Sequence, residues 1–229
     1  MITSKKLLRP GSRLSQLESM LEHPYSVIWD CCCDHGLLGM SLLKQKRACE
    51  VIFVDILVEQ MNKLEAILRI NCPLEEYTWQ VCCDDVKNIV VPKDQSQLFI
   101  IAGVGPRQTV EFINSLCVSA PGKSFDLLVC CVHGNYSVRE SLITHGFKLK
   151  DERIIFENNR FYEGIYVSNI GHENITNTGT KMWDWPNLDH QDYWQRIVGH
   201  YRQKAKKDPA HYQPIINDYE TLLASISNV

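Results

Sequence analysis

The strongest constraint on this chain is a regular alternation between short strand-like runs and longer segments of helical periodicity. Five mostly apolar runs lie at 27–30, 51–55, 78–83, 98–102 and 127–132. Helical patterns follow four of them, at 37–45, 58–70, 107–116 and 137–145. Near-continuous apolar runs are typical of strands buried on both faces of a parallel sheet, so the alternation predicts a layered α/β fold.

The pattern changes after Gly146, a residue type that commonly ends a helix. Residues 148–157 and 164–169 are typical of two consecutive strands, joined by a turn at Asn158, Asn159 and Arg160. Asparagine tolerates the left-handed backbone of such turns. We therefore predict a Rossmann-like, mainly parallel sheet of seven strands that ends in a C-terminal antiparallel hairpin.

Two domains are predicted, a Rossmann-like domain at 1–171 and a small C-terminal helical domain at 172–229. The polar stretch 171–181 is typical of a linker, and helical spacing predicts two helices at 189–206 and 214–226. One face of the first helix carries Tyr193, Trp194, Ile197, Val198 and Tyr201. Such a stripe favours packing over ligand binding.

The net charge of −3 gives the chain no general attraction to phosphate, which argues against nucleic-acid binding by the whole surface. Cations are clustered at two places, however. The N-terminal segment carries Lys5, Lys6, Arg9 and Arg13 without an acid, and the C-terminal half carries Arg202, Lys204, Lys206 and Lys207. These residues are the candidates for an RNA contact.

No apolar run reaches the roughly 18–20 residues that a membrane span needs. The N-terminus also lacks the apolar stretch of a secretory signal, so we expect a cytoplasmic protein. The sequence leaves the oligomeric state open between a monomer and a weak dimer.

Ten cysteines raise the question of a metal site or disulfides. Most are adjacent, at 31–33, 82–83 and 130–131, with single residues at 49, 72 and 117. Zinc sites use spaced pairs, and neighbouring side chains on a strand point to opposite faces. We therefore predict reduced, mostly buried thiols and no metal site.

Acidic residues end three strands in succession, at Asp30, at Asp55 and at Asp84 with Asp85. The carboxyl ends of parallel strands meet at the edge where α/β folds bind ligands. An acid after the second strand binds ribose hydroxyls in NAD enzymes and methyltransferases alike. Each aspartate alone could equally be a helix cap, but together they favour a nucleoside cofactor.

Two loops at this edge are suited to close ligand approach. Residues 30–36 read Asp-Cys-Cys-Cys-Asp-His-Gly directly before a helix, and the fourth strand is followed by Gly103-Val104-Gly105-Pro106. Glycines let a ligand lie against the backbone, and the helix N-terminus favours polar ligand groups. An Asn-Pro-Pro-Tyr motif, a Ser-His-Asp nucleophile elbow and a P-loop are absent from the sequence.

These residues together resemble the bacterial tRNA (adenine(22)-N1)-methyltransferase family, known as TrmK, within the class I methyltransferases. Residues 11–14 match a Ser-Lys-Arg-Leu-like family sequence, 30–35 match Asp-Ile-Gly-Ser-Asp-His, and 101–106 match Ile-Ala-Gly-Met-Gly-Gly. The pair Asp34-His35 is the most family-specific feature. The resemblance covers roughly residues 7–171 and extends more loosely through the C-terminal helices.

The chain departs from the family pattern at four positions. Cys32 replaces a loop glycine, Asp55 a glutamate, Val104 a methionine and Pro106 a glycine. A divergent branch with a changed substrate is one interpretation of these departures.

The resemblance implies S-adenosylmethionine as cofactor and methyl transfer to N1 of an adenine in tRNA, with no metal. It implies cofactor contacts from Arg13, Asp30, Cys32, Asp34, Gly36, Asp55, Ile56, Asp84, Asp85, Ala102, Gly103, Val104 and Gly105. Asp34 would stabilise the cationic product base, and His35 would orient Asp34 or shuttle a proton. Alternatively both only shape the cofactor site.

Three other functions remain open from the sequence. A class I methyltransferase acting on a small molecule or a protein is favoured by the negative net charge. An NAD-dependent oxidoreductase is disfavoured by the missing loop glycines and by Asp84. A non-catalytic nucleic-acid-binding module on a methyltransferase core is the third.

Overall fold

The computed structural model describes residues 10–93 and 95–226 of the chain and contains one seven-stranded sheet. Its strands are β1 (Tyr25–Cys31), β2 (Ala48–Asp55), β3 (Thr78–Cys83), β4 (Gln97–Ala102), β5 (Asp126–Cys130), β6 (Lys148–Glu157) and β7 (Arg160–Ser168). Their order is β3-β2-β1-β4-β5-β7-β6, and β7 runs antiparallel to both neighbours. The predicted mainly parallel sheet with a C-terminal hairpin is confirmed.

Helices connect and flank the strands as the alternation predicted. They are α1 (Ser12–Ser19), α2 (Leu37–Lys44), α3 (Val58–Asn71), α4 (Pro106–Ser119), α5 (Asn135–Thr144), α6 (Leu188–Ala205) and α7 (Pro209–Ile226). A short 3-10 helix, Val86–Asn88, follows β3. The predicted helices α2 to α5 are confirmed within three residues at either end.

The core has two apolar layers, one on each face of the sheet. On β4, Leu98 and Ile100 belong to one layer while Phe99 and Ile101 belong to the other, because side chains alternate along a strand. All four are fully buried. Helices α1 to α3 cover the first layer, and α4 and α5 cover the second. Burial on both faces explains why the strand sequences are apolar without alternation.

The hairpin between β6 and β7 turns at Asn158 and Asn159, which have φ of 52° and 60°. Asparagine is one of the few residue types that adopt this left-handed backbone readily. Strand β7 begins at Arg160, four residues before the predicted start, because pairing continues from Lys148↔Ser168 up to Glu157↔Arg160. The first residues of β7 include Arg160 and Glu163, so they lack the apolar pattern from which a strand is predicted.

The prediction that the last helix begins at Pro214 is wrong, since α7 begins at Pro209. Proline is well tolerated at a helix start, and the Asp208 carboxylate accepts a hydrogen bond from the His211 N–H at 3.1 Å. Pro214 lies inside the helix, where it removes one backbone hydrogen bond without ending the helix here.

The stretch 171–181 forms neither a helix nor a regular strand, yet it packs on the sheet domain. Asn174 pairs with Lys148 in an isolated bridge. The buried Glu152 carboxylate accepts hydrogen bonds from the Thr180 and Lys181 N–H groups, both at 2.7 Å. The segment after residue 171 is thus bonded to β6. A domain boundary at residue 171 stays a prediction.

A third apolar cluster joins the C-terminal helices to the rest of the protein. Tyr136 of α5 contributes to it, together with Trp183 and residues of α6 and α7. The Tyr136 hydroxyl donates a hydrogen bond to Asp218 of α7 at 2.6 Å. The stripe on α6 is divided accordingly: Tyr193, Val198 and Tyr201 are buried in this cluster, and Trp194 and Ile197 pack against it half-buried.

Candidate active site

The candidate site is a cleft at the point where the strand order of the sheet reverses, between the carboxyl ends of β1 and β4. Open α/β sheets bind ligands at this point because the loops of the two strands diverge there. We call it the cofactor cleft. It has a volume of about 290 Å³ and is lined by α1, the loop after β1 and the loop after β4.

Eight of the predicted site residues line the cofactor cleft, namely Arg13, Asp30, Cys32, Asp34, His35, Ala102, Gly103 and Val104. Six others lie on the same edge of the sheet but outside its lining, namely Gly36, Asp55, Ile56, Asp84, Asp85 and Gly105. Leu14, Cys33, Leu37 and Leu38 also line it and were not predicted. Leu37 and Leu38 line the cleft because they form the first turn of α2, which begins directly after the loop.

The loop after β1 has a left-handed backbone at every second residue. Cys32 has φ of 54°, Asp34 of 49° and Gly36 of 63°. Glycine adopts these values without strain, whereas a residue with a Cβ atom adopts them at a cost of about 1–2 kcal/mol. The loop therefore keeps a glycine-type path although two of the three positions are not glycine.

Asp30 is a buried carboxylate at the end of β1, 5% exposed. Its Oδ2 accepts a hydrogen bond from the Gly39 N–H at 3.0 Å. Burial raises the pKa of Asp30 to about 7, opposed by this hydrogen bond and reinforced by the charge of Asp55. A Cβ atom at Gly39 would lie 2.7 Å from Asp30 Oδ2, so a glycine is required there, a requirement that the sequence analysis missed.

Arg13 of α1 reaches the cofactor cleft from the other side. Its guanidinium lies 4.9 Å from the centroid of the Tyr162 ring, and its side chain is 21% exposed. Nε is buried and has no hydrogen-bond partner, since the Glu157 carboxylate lies 4.0 Å away. Glu157 instead accepts a hydrogen bond from the Arg13 backbone N–H at 2.9 Å, which fixes the start of α1.

Asp55 at the end of β2 supports the loop after β1. Its Oδ2 accepts a hydrogen bond from the Asp34 N–H at 3.3 Å, and its Oδ1 accepts one from the Leu57 N–H at 3.2 Å. The neighbouring Ile56 is 61% exposed at the same edge. The carboxylate is thus held beside the cleft, with an exposed apolar side chain next to it.

Asp85 caps the short 3-10 helix after β3, and Asp84 holds the residues at its two ends. Asp85 Oδ1 accepts a hydrogen bond from the Lys87 N–H at 2.9 Å. Asp84 Oδ1 accepts hydrogen bonds from the Asp85 N–H and the Asn88 amide, both at 2.7 Å. The sequence left these aspartates two roles, a helix cap and a cofactor contact. The structure contains the cap, and the cofactor contact stays a prediction.

Asp34 and His35 lie on the exposed side of the cleft, with side chains 72% and 65% exposed. Gln60 of α3 ties them together: its amide nitrogen lies 3.0 Å from Asp34 Oδ1 and 2.7 Å from His35 Nδ1. Because the amide donates to the carboxylate, Nδ1 accepts, and His35 carries its proton on Nε2. His35 Nε2 lies 3.9 Å from Asp34 Oδ2. Sequence reasoning missed Gln60, which belongs to a different helix.

The loop after β4 is held against the loop after β5. Gly103, with φ of 87°, donates from its N–H to the Cys130 carbonyl at 2.9 Å. The Val132 N–H donates to the Val104 carbonyl at 3.1 Å, and the Cys131 thiol lies 2.9 Å from the His133 carbonyl and 3.3 Å from the Val104 carbonyl. Val104 therefore links the wall of the cofactor cleft to the loop after β5.

All ten cysteines are free thiols. Four are buried, four are half-buried, and Cys49 and Cys83 are exposed, so the expectation of mostly buried thiols holds only in part. Burial raises the pKa of the Cys32 thiol to about 12, which keeps it protonated at neutral pH. Within residues 10–93 and 95–226, no group of three or more His, Cys, Asp or Glu side chains is placed to hold a metal ion.

Residues 11–165 match a family model described as a methyltransferase domain. The match includes the whole cofactor cleft and most of the sheet, and the chain belongs to this methyltransferase family. No curated protein is similar enough in sequence to be matched.

Two solved TrmK structures share the fold of this chain over nearly its full length. TrmK of M. capricolum, in complex with S-adenosyl-homocysteine, has a TM-score of 0.76 at 14% identity, covering 94% of this chain and 98% of that chain. The M1A22 tRNA methyltransferase TrmK of B. subtilis has a TM-score of 0.69 at 15% identity, covering 96% and 97%. The coverage includes the C-terminal helices, because the sheet domain alone is too short to supply it.

A third structure shares the fold over a smaller part of this chain. The magnesium protoporphyrin IX methyltransferase of Synechocystis PCC 6803 with bound SAM has a TM-score of 0.54 at 13% identity, covering 69% of this chain and 76% of that chain.

Among the helices of the described residues, none is long and apolar enough to span a membrane.

Proposed function

We propose that this chain is an S-adenosylmethionine-dependent methyltransferase that methylates N1 of an adenine in tRNA. The observation that carries the proposal is the combination of a cofactor cleft with a C-terminal helix pair in a single fold. The likeness to both TrmK structures covers 94% and 96% of this chain, whereas the likeness to the porphyrin methyltransferase covers 69%. A tRNA substrate places the reaction in the cytoplasm.

The polar groups of the cleft fit a cofactor made of an amino acid joined to a nucleoside. The unpartnered Arg13 Nε can donate to the cofactor carboxylate. The buried Asp30 carboxylate can face the ammonium group, whose charge would favour its ionised form. Asp55 ends β2, the position from which an acid binds the ribose hydroxyls.

The same loops leave room for the rest of the cofactor. A Cβ atom added to Gly103 would lie 3.9 Å from its nearest neighbour, and one added to Gly105 would have no neighbour within 4 Å. The space beside the backbone after β4 is therefore open to a ligand. The exposed Ile56 offers an apolar surface beside Asp55 for the adenine ring. The volume of about 290 Å³ is close to the lower end of ligand pockets, about 300 Å³.

The bound cofactor supplies the methyl group, and the chain supplies positioning and charge stabilisation. N1 of adenine has a lone pair that attacks the methyl carbon in line, so orientation provides much of the rate. The product base is cationic, and Asp34 Oδ2, which Gln60 leaves free of its own hydrogen bond, can stabilise that charge. His35 Nε2 lies 3.9 Å from this oxygen and would orient it once the two groups come within hydrogen-bond distance.

The tRNA would contact the basic end of α6 and the N-terminal segment. Lys204 lies 5.3 Å from the Tyr212 ring, and Lys206 and Lys207 are exposed where α6 ends. Arg202 is paired with Glu220 at 2.8 Å, which reduces its contribution. Lys5, Lys6 and Arg9, the other predicted contacts, lie outside the described residues. Contacts of this kind make affinity fall with salt, by a log–log slope of roughly 0.7–0.9 per phosphate.

The test is incubation of the purified protein with labelled S-adenosylmethionine and unmodified tRNA, followed by mapping of the methylated base. We expect label in tRNA as 1-methyladenosine, and calorimetric binding of S-adenosylmethionine but not of NAD. Label in a protein or small-molecule fraction, with none in tRNA, would support methyltransferase activity but contradict the tRNA substrate. Binding of NAD without S-adenosylmethionine would overturn the cofactor as well.

A further inference from the structure

We propose that a second cavity, beside the cofactor cleft, receives the target adenine after it leaves its stack in the RNA. This inference rests on the proposed function and extends it to the substrate site. The cavity, called here the aromatic pocket, has a volume of about 190 Å³. It lies between the loop after β5, the start of β7, and helices α6 and α7, and includes Asn135, Phe161, Tyr193, Tyr201 and Tyr219.

The aromatic pocket adjoins the cofactor cleft through the hydrogen-bonded loops after β4 and β5. Val104 lines the cleft, and its carbonyl accepts the Val132 N–H at 3.1 Å, while Val132 lines the pocket. The contact of Gly134 with Pro106 is so close that an added Cβ would lie 2.9 Å from Pro106 Cγ. The two cavities therefore share a wall made of these loops, and a base at that wall would reach the methyl donor past Val104, since transfer requires the reacting atoms to come within about 3–3.5 Å.

The walls of the pocket are aromatic. Phe161 and Tyr193 have ring centroids 5.1 Å apart, and Tyr201 and Tyr219 stack at 6.1 Å. Enzymes that act on a base hold it between aromatic or apolar side chains after it is flipped out. The lining also includes the exposed residues His133, Arg196 and His200, and Arg196, which pairs with Asp192 at 2.7 Å, is the cation among them that could contact a flanking phosphate.

One polar group in the pocket wall lacks a partner. Asn135 is 6% exposed, and its Oδ1 is buried without a hydrogen bond. Its amide orientation is fixed, because Tyr193 donates its hydroxyl proton to Glu163 at 2.8 Å and therefore accepts from Asn135 Nδ2 at 3.3 Å. The free oxygen is an acceptor, and a buried acceptor without a partner costs free energy until a donor reaches it.

The exocyclic amine of adenine is such a donor, and it neighbours N1 on the same edge of the base. Holding the amine at Asn135 therefore keeps N1 close to the loop after β4. Guanine presents a carbonyl oxygen at that position, which would face the Asn135 oxygen, acceptor against acceptor. The geometry thus selects adenine over guanine by leaving a mismatched polar pair buried.

The experiment compares single-turnover methylation of unmodified tRNA by the wild type and three variants. We expect Asn135→Leu to lower kcat/KM roughly 10- to 100-fold by removing the acceptor. Phe161→Leu should lower it by roughly 5- to 100-fold through lost stacking. Phe156→Leu is the matched control, since Phe156 contacts Phe161 at 4.7 Å but does not line the pocket. Calorimetric affinity for S-adenosylmethionine should be unchanged in all three.

A substrate change separates recognition from a structural role of Asn135. A tRNA with purine riboside at the mapped position lacks the amine and has a less nucleophilic N1, so it should slow both proteins, and it should slow the wild type by a larger factor than Asn135→Leu. Wild-type kcat/KM in both pocket variants would overturn the aromatic pocket while leaving the proposed function standing. If Asn135→Leu does not fold, Phe161→Leu and the purine substrate decide the question.

If the wild type methylates no tRNA, the proposed function fails and direct binding decides the pocket. Saturation-transfer NMR would then use adenosine monophosphate with protein saturated in S-adenosyl-homocysteine. Saturable transfer that is lost in Phe161→Leu but kept in Phe156→Leu supports a base site. Absence of transfer in the wild type overturns it.

Discussion

The cofactor cleft and the aromatic pocket lie on the same edge of the sheet but are built in opposite ways. Each wall of the cleft comes from a short stretch of sequence, such as 30–38 or 102–104, and its loop after β1 includes left-handed residues and exposed side chains. The pocket combines β7, α5, α6 and α7, and the charges beneath it are fully buried. Changes in the cleft should therefore alter binding or local strain, whereas changes beneath the pocket should alter global stability.

The largest effect is expected from the buried ion pairs under the aromatic pocket. Arg139 lies 2.7 Å from Glu152 and 2.8 Å from Glu163, and all three side chains are at most 1% exposed. Burial lowers the pKa of Arg139, but the two carboxylates raise it more, so the arginine stays charged. Glu152 also holds the Thr180 and Lys181 backbone, and Glu163 holds Tyr193 of α6.

Arg139→Met would leave two buried carboxylates unpaired, and we expect a loss of about 3–5 kcal/mol in the free energy of unfolding. Arg202→Met breaks an exposed ion pair with Glu220 and should cost less than about 1 kcal/mol. Urea unfolding followed by circular dichroism measures both. Equal stability of the two variants would mean that the C-terminal helices do not depend on this network.

The same contacts sharpen the question of domain independence. A chain that ends at Gly171 would lose the Glu152 and Tyr136 partners in 177–218, so we expect it to unfold more easily than the full chain. Circular dichroism of the shortened chain is the measurement. A cooperative transition at the midpoint of the full chain would show that residues 1–171 fold on their own.

In the cofactor cleft the largest expected effect is on affinity. Asp55→Ala should weaken S-adenosylmethionine binding by about 1.5–3 kcal/mol, the usual cost of losing charge-assisted hydrogen bonds. Glu65→Ala, which removes an exposed carboxylate paired with Arg69 on α3, should change it little. Calorimetry compares the two, and an unchanged dissociation constant for Asp55→Ala would remove this residue from the site.

Asp30 gives the cleft a dependence on pH. Its folded-state pKa of about 7 lies above the value of 3.8 in an unfolded chain, so the neutral form stabilises the fold and this contribution is lost as the pH rises from 3.8 to 7. Relative to Asp30→Asn, the wild type should lose about 2–3 kcal/mol of unfolding free energy between pH 5 and pH 8. Parallel pH dependences of the two proteins would contradict a raised pKa. The Asp30→Asn variant should also bind S-adenosylmethionine more weakly, because it lacks the carboxylate that would face the ammonium group.

The smallest effect concerns backbone strain in the loop after β1. Cys32→Gly should raise the free energy of unfolding by roughly 0.5 kcal/mol, because relief of the left-handed strain slightly exceeds the entropy cost of glycine. Cys117→Gly, in the last turn of α4, should instead lower it by roughly 0.3–0.5 kcal/mol. Urea midpoints of the two variants should move in opposite directions, and a decrease for both would show that Cys32 is not strained.

Local sequence determined most of the fold of this protein. The apolar runs of β1, β2, β4 and β5 identify buried strands because both faces of each strand are covered, and Asn158-Asn159 identifies the hairpin because few residues adopt its backbone. The acids at the ends of β1 and β2 were also predictable, since parallel strands bring their carboxyl ends to one edge.

Only the tertiary structure decided what surrounds those residues. Gln60 links Asp34 to His35 from another helix, and the start of α7 at Pro209 depends on packing that outweighs the cost of Pro214. The aromatic pocket joins Asn135 to Tyr193, 58 residues along the chain. Periodicity reports which face of an element is buried, but the partner across a contact is fixed by packing between elements that are distant in sequence.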